Sequence, residues 1–489
     1  MLPNSHSLLT DNKSLGIKME NYLKKVVIKD LFDEGNNYEI DLIEGCNCIF
    51  GDNGTGKTSI INLIVSTITV DIDKLAKIPF KSISIYLAKS GQVRARRFLT
   101  VEKFITTDSL NASERQLKYV LHNDAITLTV NSSRLIDNFD EQRRGQVESI
   151  TSNIKSLINK EISLTHVPLL RVQDSEIFGG VEQDDYLHMA LKRRQFSQKQ
   201  ILEIMDPSLR VISSIQSQFI EEVNERRKKI TVSLENLKSK IIEKVMIDNK
   251  IVNETSKAFQ HISKAISSTA PEIDAGVYFK KLKEANIDVP ESKVHEHFNV
   301  WKDLSNKCKE EWSAFLKLEK SGCEKKELEK SKSKFDASYF SLFSITHFYD
   351  RFLNIVSDVE KMQGEKSQIL KIFTDYEHEI NTYLSPNKKF HITEDGRFRV
   401  FSGTRQINLA DLSSGEKHII TILGRAALST NIGSIFVADE PELSLHLDWQ
   451  RKILPSIQKL SPLSQVIVAT HSPAISAKGG AEIDLSECK

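Results

Sequence analysis

The feature that most constrains this chain is the segment CIFGDNGTGKTSIINLI, residues 48–64. A short apolar strand, residues 47–50, runs into a loop with three glycines, and the loop runs into an apolar helical pattern. Glycines lack a Cβ, so successive backbone N–H groups can turn inward and form a concave anion cradle. The helix that follows aims its first N–H groups at the same point. In Gly51-Asp52-Asn53-Gly54-Thr55-Gly56-Lys57-Thr58, Lys57 adds a point charge suited to β- and γ-phosphate oxygens, and Thr58 a hydroxyl suited to Mg²⁺. Strand, loop and helix in this order are the context that a phosphate-binding loop requires.

Strand patterns surround this unit. YLKKVVIKDLF and NYEIDL read as two strands joined by the turn DEGNN, and KSISIYLA, ARRFLTVEKF and DAITLTVN continue the series. The first 135 residues are therefore expected to be β-rich around one helix. Beyond about residue 140 the texture changes. Leu209, Ile212, Ile215, Phe219, Val223, Ile230, Leu234, Leu237, Ile241 and Val245 fall at helical spacing, and Gly276 is the lone glycine from 181 to 320. A second helix is expected near 351–384, and the charge-dense run 317–336 reads as a helical tip or exposed linker. Pro207, Pro271 and Pro290 break any sustained heptad, so the middle reads as a helical subdomain rather than a long coiled coil. From 389 the pattern changes again. KFHITEDGRFRVF is a hairpin turning at Asp395-Gly396, and SIFVADE and SQVIVATHS are apolar strands flanked by helical patterns. The expected organisation is a loose polar N-terminus (1–18, with Met19 a second candidate start), an N-terminal lobe (19–140), a connecting segment with helical insertion (141–388, core about 190–385) and a C-terminal lobe (389–489). Strands alternating with helices at both ends of the chain predict one α/β domain built from two halves.

Composition excludes several classes. Net charge is +1, so no global field draws the chain to nucleic acid or an anionic surface. No apolar run reaches the roughly 18–20 residues needed to cross a bilayer. The N-terminus lacks the basic start and apolar core of a signal peptide, which predicts a cytoplasmic protein without membrane partners. Of five cysteines, Cys46 and Cys48 alternate along a strand with no second pair at zinc spacing, and they read as small buried side chains in a reducing compartment.

Three further motifs carry chemistry. SIFVADE ends a strand in Asp439-Glu440; the first carboxylate suits Mg²⁺, and the second can take a proton from an attacking water. DLSSGEKHII places Ser413, Ser414 and Gly415 at a helix start with Glu416 in its first turn, an arrangement that caps a helix or receives an anion. VIVATHS ends a strand in Thr470-His471-Ser472.

In order and spacing these motifs resemble the ABC-type ATPase family: GDNGTGKT resembles Walker A, LSSGE the signature, IFVADE Walker B, ELSLH the D-loop, and THS the switch histidine. The resemblance covers about residues 20–135 and 389–476. It implies an α/β ABC-type P-loop ATPase head split by a large α-helical insertion. It also implies that two heads sandwich ATP and Mg²⁺. Asn53, Gly54, Thr55, Gly56, Lys57, Thr58 and Ser59 would hold ATP in one head. Ser413, Ser414, Gly415 and Glu416 of the other head would complete the site. Asp439 and Thr58 would hold Mg²⁺, with Glu440 as base, His471 on the γ-phosphate, and Ser444 and His446 at the seam. The Q-loop glutamine is Gln92 or Gln173, or neither.

A serine at 414, where transporter signatures have glycine, and DEPELSLH resemble the SMC-like, RecF-like and OLD-like branch. Within it, the chain resembles ATPase subunits of bacterial anti-phage systems such as PARIS and Septu. That implies a sensor or scaffold controlling a separately encoded effector, commonly a nuclease, and answering a phage-derived trigger. OLD nucleases carry a TOPRIM domain after the ATPase, and the 18 residues beyond His471 leave no room for one, so a nuclease is expected on another polypeptide. The competing expectation is a DNA-repair ATPase that clamps DNA through Arg94, Arg96 and Arg97 or through Arg226, Arg227, Lys228 and Lys229. Direct binding of DNA or RNA is left open. A transporter subunit fits worse, given the large insertion and Ser414.

Overall fold

The computed structural model describes residues 21–52, 54–107, 113–122, 126–131, 141–167, 206–245, 259–263, 266, 274–322, 324–429, 434–475 and 480–489. The expectations for residues 1–18, Asn53, Gln173 and Pro271 lie outside the described residues. The chain divides into two compact units, residues 1–223 with 372–489, and Asn224–Lys371.

The first unit holds two large sheets. One contains strands β1 (Asn21–Lys29), β2 (Tyr38–Asp41), β4 (Ser82–Lys89), β5 (Arg96–Thr107), β6 (Ser113–Leu121) and β7 (Ile126–Asn131), antiparallel in the order β2-β1-β4-β5-β6-β7. The other contains β3 (Cys46–Phe50), β8 (Ser163–Val167), β12 (Ser434–Asp439), β13 (Gln465–Ala469) and β14 (Ala481–Asp484), all parallel in the order β14-β3-β13-β12-β8. Every residue of β12 and β13 is buried, as continuous apolar runs in a doubly covered parallel sheet require. The two chain halves therefore share one sheet: β3 pairs with β13 from Cys46 opposite Val466 to Ile49 opposite Ala469.

Helix α1 (Lys57–Thr69) shares one core with both sheets. Its Ile60, Ile61, Leu63, Ile64 and Ile68 cluster with Ile28, Ile83 and Leu99 of the antiparallel sheet and with Ile435, Val437 and Ile467 of the parallel one. Each such side chain contributes about 1.5–3 kcal/mol by leaving water.

The N-terminal lobe holds a second helix, Ile72–Lys77, that the strand-rich reading lacks. Asp71 caps its start through Lys74 N, and Lys103 Nζ donates to its last carbonyls at Ala76 (2.7 Å) and Ile78 (2.9 Å). Six residues are too short for apolar periodicity to show. Strand β8 also lies where only connecting chain was expected. SLTHV has no alternation, and its pairing with β12 is what makes it a strand.

A small antiparallel sheet, β9 (Lys389–Ile392), β10 (Phe398–Ser402) and β11 (Arg405–Ile407), contains the Asp395-Gly396 hairpin. Its Phe390 and Phe398 form an aromatic cluster with Phe219, Phe373 and Tyr376; Phe219 lies 4.9 Å from Tyr376 and 5.2 Å from Phe398 between ring centroids. Gly396, at φ 83, packs so closely on helix Pro207–Val245 that a Cβ would fall 2.9 Å from Ile220 Cα.

The second unit is helical. Its core gathers Leu237, Val294, Phe298, Tyr349, Val356 and Val359, with Ile262, Cys308 and Leu342 in a second cluster. The helix expected near 351–384 starts at Lys325 and runs to Leu384. The run 317–336 is accordingly the end of helix Glu291–Ser321, a turn at Gly322 and the start of the next helix. Among the described residues, no helix is long and apolar enough to cross a membrane.

Candidate functional site

In a parallel sheet the carboxyl ends of the strands share one edge, and three motifs follow adjacent strands there. The glycine loop follows β3, Thr470-His471-Ser472 follows β13, and Glu440 follows β12. Crevices at this edge are where open α/β sheets bind ligands.

The loop is built as the sequence requires. Gly54 (φ 82) and Gly56 (φ 89) occupy left-handed conformations that cost other residues energy, and Gly56 delivers the chain into α1. No side chain caps α1 and no acid sits in its first turn, so its first N–H groups face the loop without a side-chain cap. Lys57 is buried, and its ammonium folds back to donate to the carbonyls of Gly51 (2.6 Å) and Asp52 (2.9 Å). Burial lowers its pKa, opposed by the negative charges of Glu440, Asp52, Asp439 and Glu442. Thr55 Oγ1 donates to Asp52 O at 2.8 Å. Thr58 is exposed and Ser59 half-buried. The ring of Phe32, 46% exposed, lies where a Cβ on Gly56 would come within 3.1 Å of its Cε2.

Asp439 is 4% exposed. Burial raises its carboxyl pKa to about 6; the Thr58 hydroxyl bonded to it pulls the other way, and Glu440 and Glu442 add repulsion. Its Oδ1 is buried without a hydrogen-bond partner. A buried carboxylate oxygen left unpaired beside a threonine hydroxyl and a phosphate loop is the donor set Mg²⁺ takes, with one or two protein oxygens and the rest from phosphate and water. The residues fit that ion. Among the described residues no cluster of three or more His, Cys, Asp or Glu offers another metal site.

Glu440 takes φ 46, an unfavourable value for a residue with a Cβ, and its N–H donates to Ala469 O at 2.8 Å. This turns its carboxylate toward the neighbouring strand's exit, where Oε1 lies 3.4 Å from His471 Nε2. The two residues chosen from sequence as base and switch histidine are thus neighbours.

The LSSGE segment starts helix Ser414–Leu428. Ser413 and Glu416 form a capping box: Ser413 Oγ accepts from Glu416 N at 3.3 Å, and Glu416 Oε2 from Ser413 N at 2.8 Å. Lys388 grips both Glu416 oxygens at 2.7 and 2.8 Å, holding that carboxyl below its ordinary pKa despite burial. Ser413 and Ser414 remain exposed. Gly415 is buried, and a Cβ there would meet Ser444 O at 2.7 Å. Among the described residues no hydrogen bond joins Ser413, Ser414 or Gly415 to residues 51–59. Ser444 (φ 64) and His446 are exposed, and His446 starts helix Leu447–Leu460. Gln92 is exposed on the turn between β4 and β5.

Four residues here escaped the sequence reading: Phe32, Lys388, Glu442 and Gln450. Glu442 Oε1 accepts from Thr470 Oγ1, His471 N (2.9 Å) and Ser472 N (3.1 Å). The one available signal for it was a third acid within four residues of a strand end. The basic clusters are largely engaged. Arg96 pairs with Glu161 at 2.6 Å, Arg97 bonds Tyr86, Arg226 donates to Ile369 O and Lys228 pairs with Glu225.

Residues 123–477 match the family model AAA_21, described as "AAA domain, putative AbiEii toxin, Type IV TA system". The matched span includes the signature, the acidic strand and the switch loop, and begins after the glycine loop. A curated relative, "Retron Ec83 probable ATPase" of Escherichia coli, is 26% identical over 146 residues, covering 24% of this chain. The chain thus spans about a quarter (26%) of that relative's length. Similar solved structures include the Smc head domain with an extended coiled coil bound to the C-terminal domain of ScpA from Pyrococcus furiosus, at 13% identity and TM-score 0.33, covering 93% of this chain and 90% of that one. Another is the Smc head domain with a coiled coil and joint from Pyrococcus yayanosii, at 15% identity and TM-score 0.34, covering 92% of each.

Proposed function

This chain belongs to the AAA_21 family, and on that premise we propose that it is an ABC-type ATPase whose heads close on ATP. The observation that carries the reading is the convergence of the uncapped α1 with Lys57, the orphaned Asp439 oxygen beside Thr58, and the Glu440–His471 pair at one sheet edge.

In this reading Lys57 exchanges the carbonyls of Gly51 and Asp52 for phosphate oxygens. Loop N–H groups from Gly54 to Ser59, with Asn53 and Thr55, surround the same phosphates, and Phe32 offers its ring to the base. Asp439 and Thr58 would hold Mg²⁺, which would supply positive charge to offset that of the phosphates. Glu440 accepts the proton of the attacking water, and His471 orients that carboxylate and reaches the γ-phosphate. Ser413, Ser414 and Gly415 of a second copy complete the site, with Ser444 and His446 at the seam. Glu416 contributes by fixing the helix start through its capping box rather than by touching phosphate.

The family description and the retron ATPase relative support placing this activity in a cytoplasmic bacterial defence complex, as sensor or scaffold for a separate effector, a nuclease being the first candidate. A direct DNA clamp draws less support, because Arg96 and Arg226, two of the residues that would serve it, bond within the chain. Phosphate release and light scattering test the core of the proposal. Glu440→Gln is expected to bind ATP, lose 10²- to 10⁴-fold in turnover and accumulate as an ATP-dependent dimer, while Lys57→Ala does not bind. Turnover by Glu440→Gln equal to wild type removes Glu440 from the role of base.

A further inference from the structure

We propose that Glu442 is a positioning residue that sets His471 for catalysis, a role that rests on the ATPase reading above. The switch loop leaves the sheet after Ala469 with three consecutive donors to place: the Thr470 hydroxyl and the N–H groups of His471 and Ser472. One oxygen of Glu442 accepts all three. Charge-assisted bonds are roughly twice as strong as neutral ones, so the carboxylate pins the backbone on both sides of the His471 Cα. Thr470 is itself fully buried and donates inward, and its oxygen accepts a second bond from Ser472 N at 3.0 Å, which tightens the same turn. The imidazole is thereby presented to Glu440, which the left-handed turn at 440 directs to the same place.

Glu442 and Glu440 sit on one short loop, separated only by Pro441. The base and the clamp on the base's partner therefore move together. A second tie comes from helix Leu447–Leu460: Gln450 Oε1 accepts from Ser472 Oγ at 2.7 Å, while Gln450 Nε2 donates to Leu445 O at 2.9 Å. The next carbonyl upstream, Ser444 O, is the one that packs on Gly415. The signature helix, the seam loop and the switch histidine are thus joined by direct contacts within one head.

A carboxylate serving only as a structural cap would produce a different pattern from one acting through His471. The experiment measures kcat for ATP, affinity for a fluorescent ATP analogue, and thermal unfolding for wild type, Glu442→Ala, Glu442→Gln, His471→Ala and the Glu442→Ala/His471→Ala pair. Glu442→Ala is expected to lose about 10- to 100-fold in kcat with analogue affinity unchanged, the scale on which misplacement of a catalytic group by about 1 Å acts. Glu442→Gln keeps one acceptor oxygen and is expected to recover most of that loss. The double variant is expected to turn over no more slowly than His471→Ala alone, because the two losses are one loss. The positioning role is overturned by wild-type kcat in Glu442→Ala, or by losses that multiply in the double variant. Phosphate release by Lys57→Ala equal to wild type is a separate result, and it removes the ATPase reading together with this one.

Discussion

Replacing Asp439 with asparagine should make the nucleotide-free protein harder to unfold. The carboxyl sits at 4% exposure with one oxygen unpaired, and its pKa rises from an ordinary 3.8 to about 6, first because of burial. Each tenfold change in proton affinity is about 1.4 kcal/mol, so the ionised carboxylate costs the fold about 3 kcal/mol at pH 7.5. The sign follows from linkage. Above about pH 4 the unfolded chain releases this proton while the folded one keeps it, so stability falls as pH rises and levels off above pH 6. At pH 5 about half the cost remains. Asparagine removes it but leaves an amide where the orphaned oxygen was, at about 1 kcal/mol, for a net gain of about 2 kcal/mol. In a unit of this size that raises Tm by about 3 °C. Differential scanning fluorimetry without nucleotide, at pH 7.5 and pH 5.0, measures both the gain and its shrinkage. An Asp439→Asn protein no more stable than wild type at pH 7.5, or a gain unchanged at pH 5.0, would show that the carboxylate is not held against its solvation and refute the reasoning. Mg²⁺ with ATP should stabilise wild type and not the variant.

Gly396→Ala forces a methyl within 2.9 Å of Ile220 Cα at φ 83, and chemical denaturation should show a loss of about 2–4 kcal/mol. Phe32→Ala should weaken binding of ATP about 10-fold while leaving binding of inorganic triphosphate unchanged, measured by calorimetry, because it removes about 1–2 kcal/mol of ring–base contact.

Motifs whose function depends on neighbours in sequence were legible. The glycine loop and the Ser413–Glu416 helix start make their bonds within a few residues, so spacing alone announces them, and Asp439-Glu440 is announced by the buried apolar strand that it ends although its partners lie far along the chain. Residues whose role depends on a distant partner were not. Glu442 meets a loop 28 residues on, and Lys388 meets Glu416 28 residues on. Strand β8 becomes a strand only by pairing with β12. Helix Lys325–Leu384 extends well before the expected 351 because its first half opens on the lysine- and glutamate-rich run 325–334 and then exposes aromatics such as Phe340 and Phe348, so it lacks a clean apolar face.

The shared parallel sheet also sets a schedule for synthesis. Asn47 Nδ2 donates to Val466 O across 419 residues, and among the described residues β3 has its sheet neighbours in β13 and β14. At about 5–20 residues per second the ribosome needs roughly 20–80 s to make that intervening chain. During that interval the glycine loop stands on an unpaired apolar strand. Its two flanks are open to any other nascent strand, including those of a second copy on the same message. Pairing β3 with its partners β13 and β14 is therefore a late, whole-chain event.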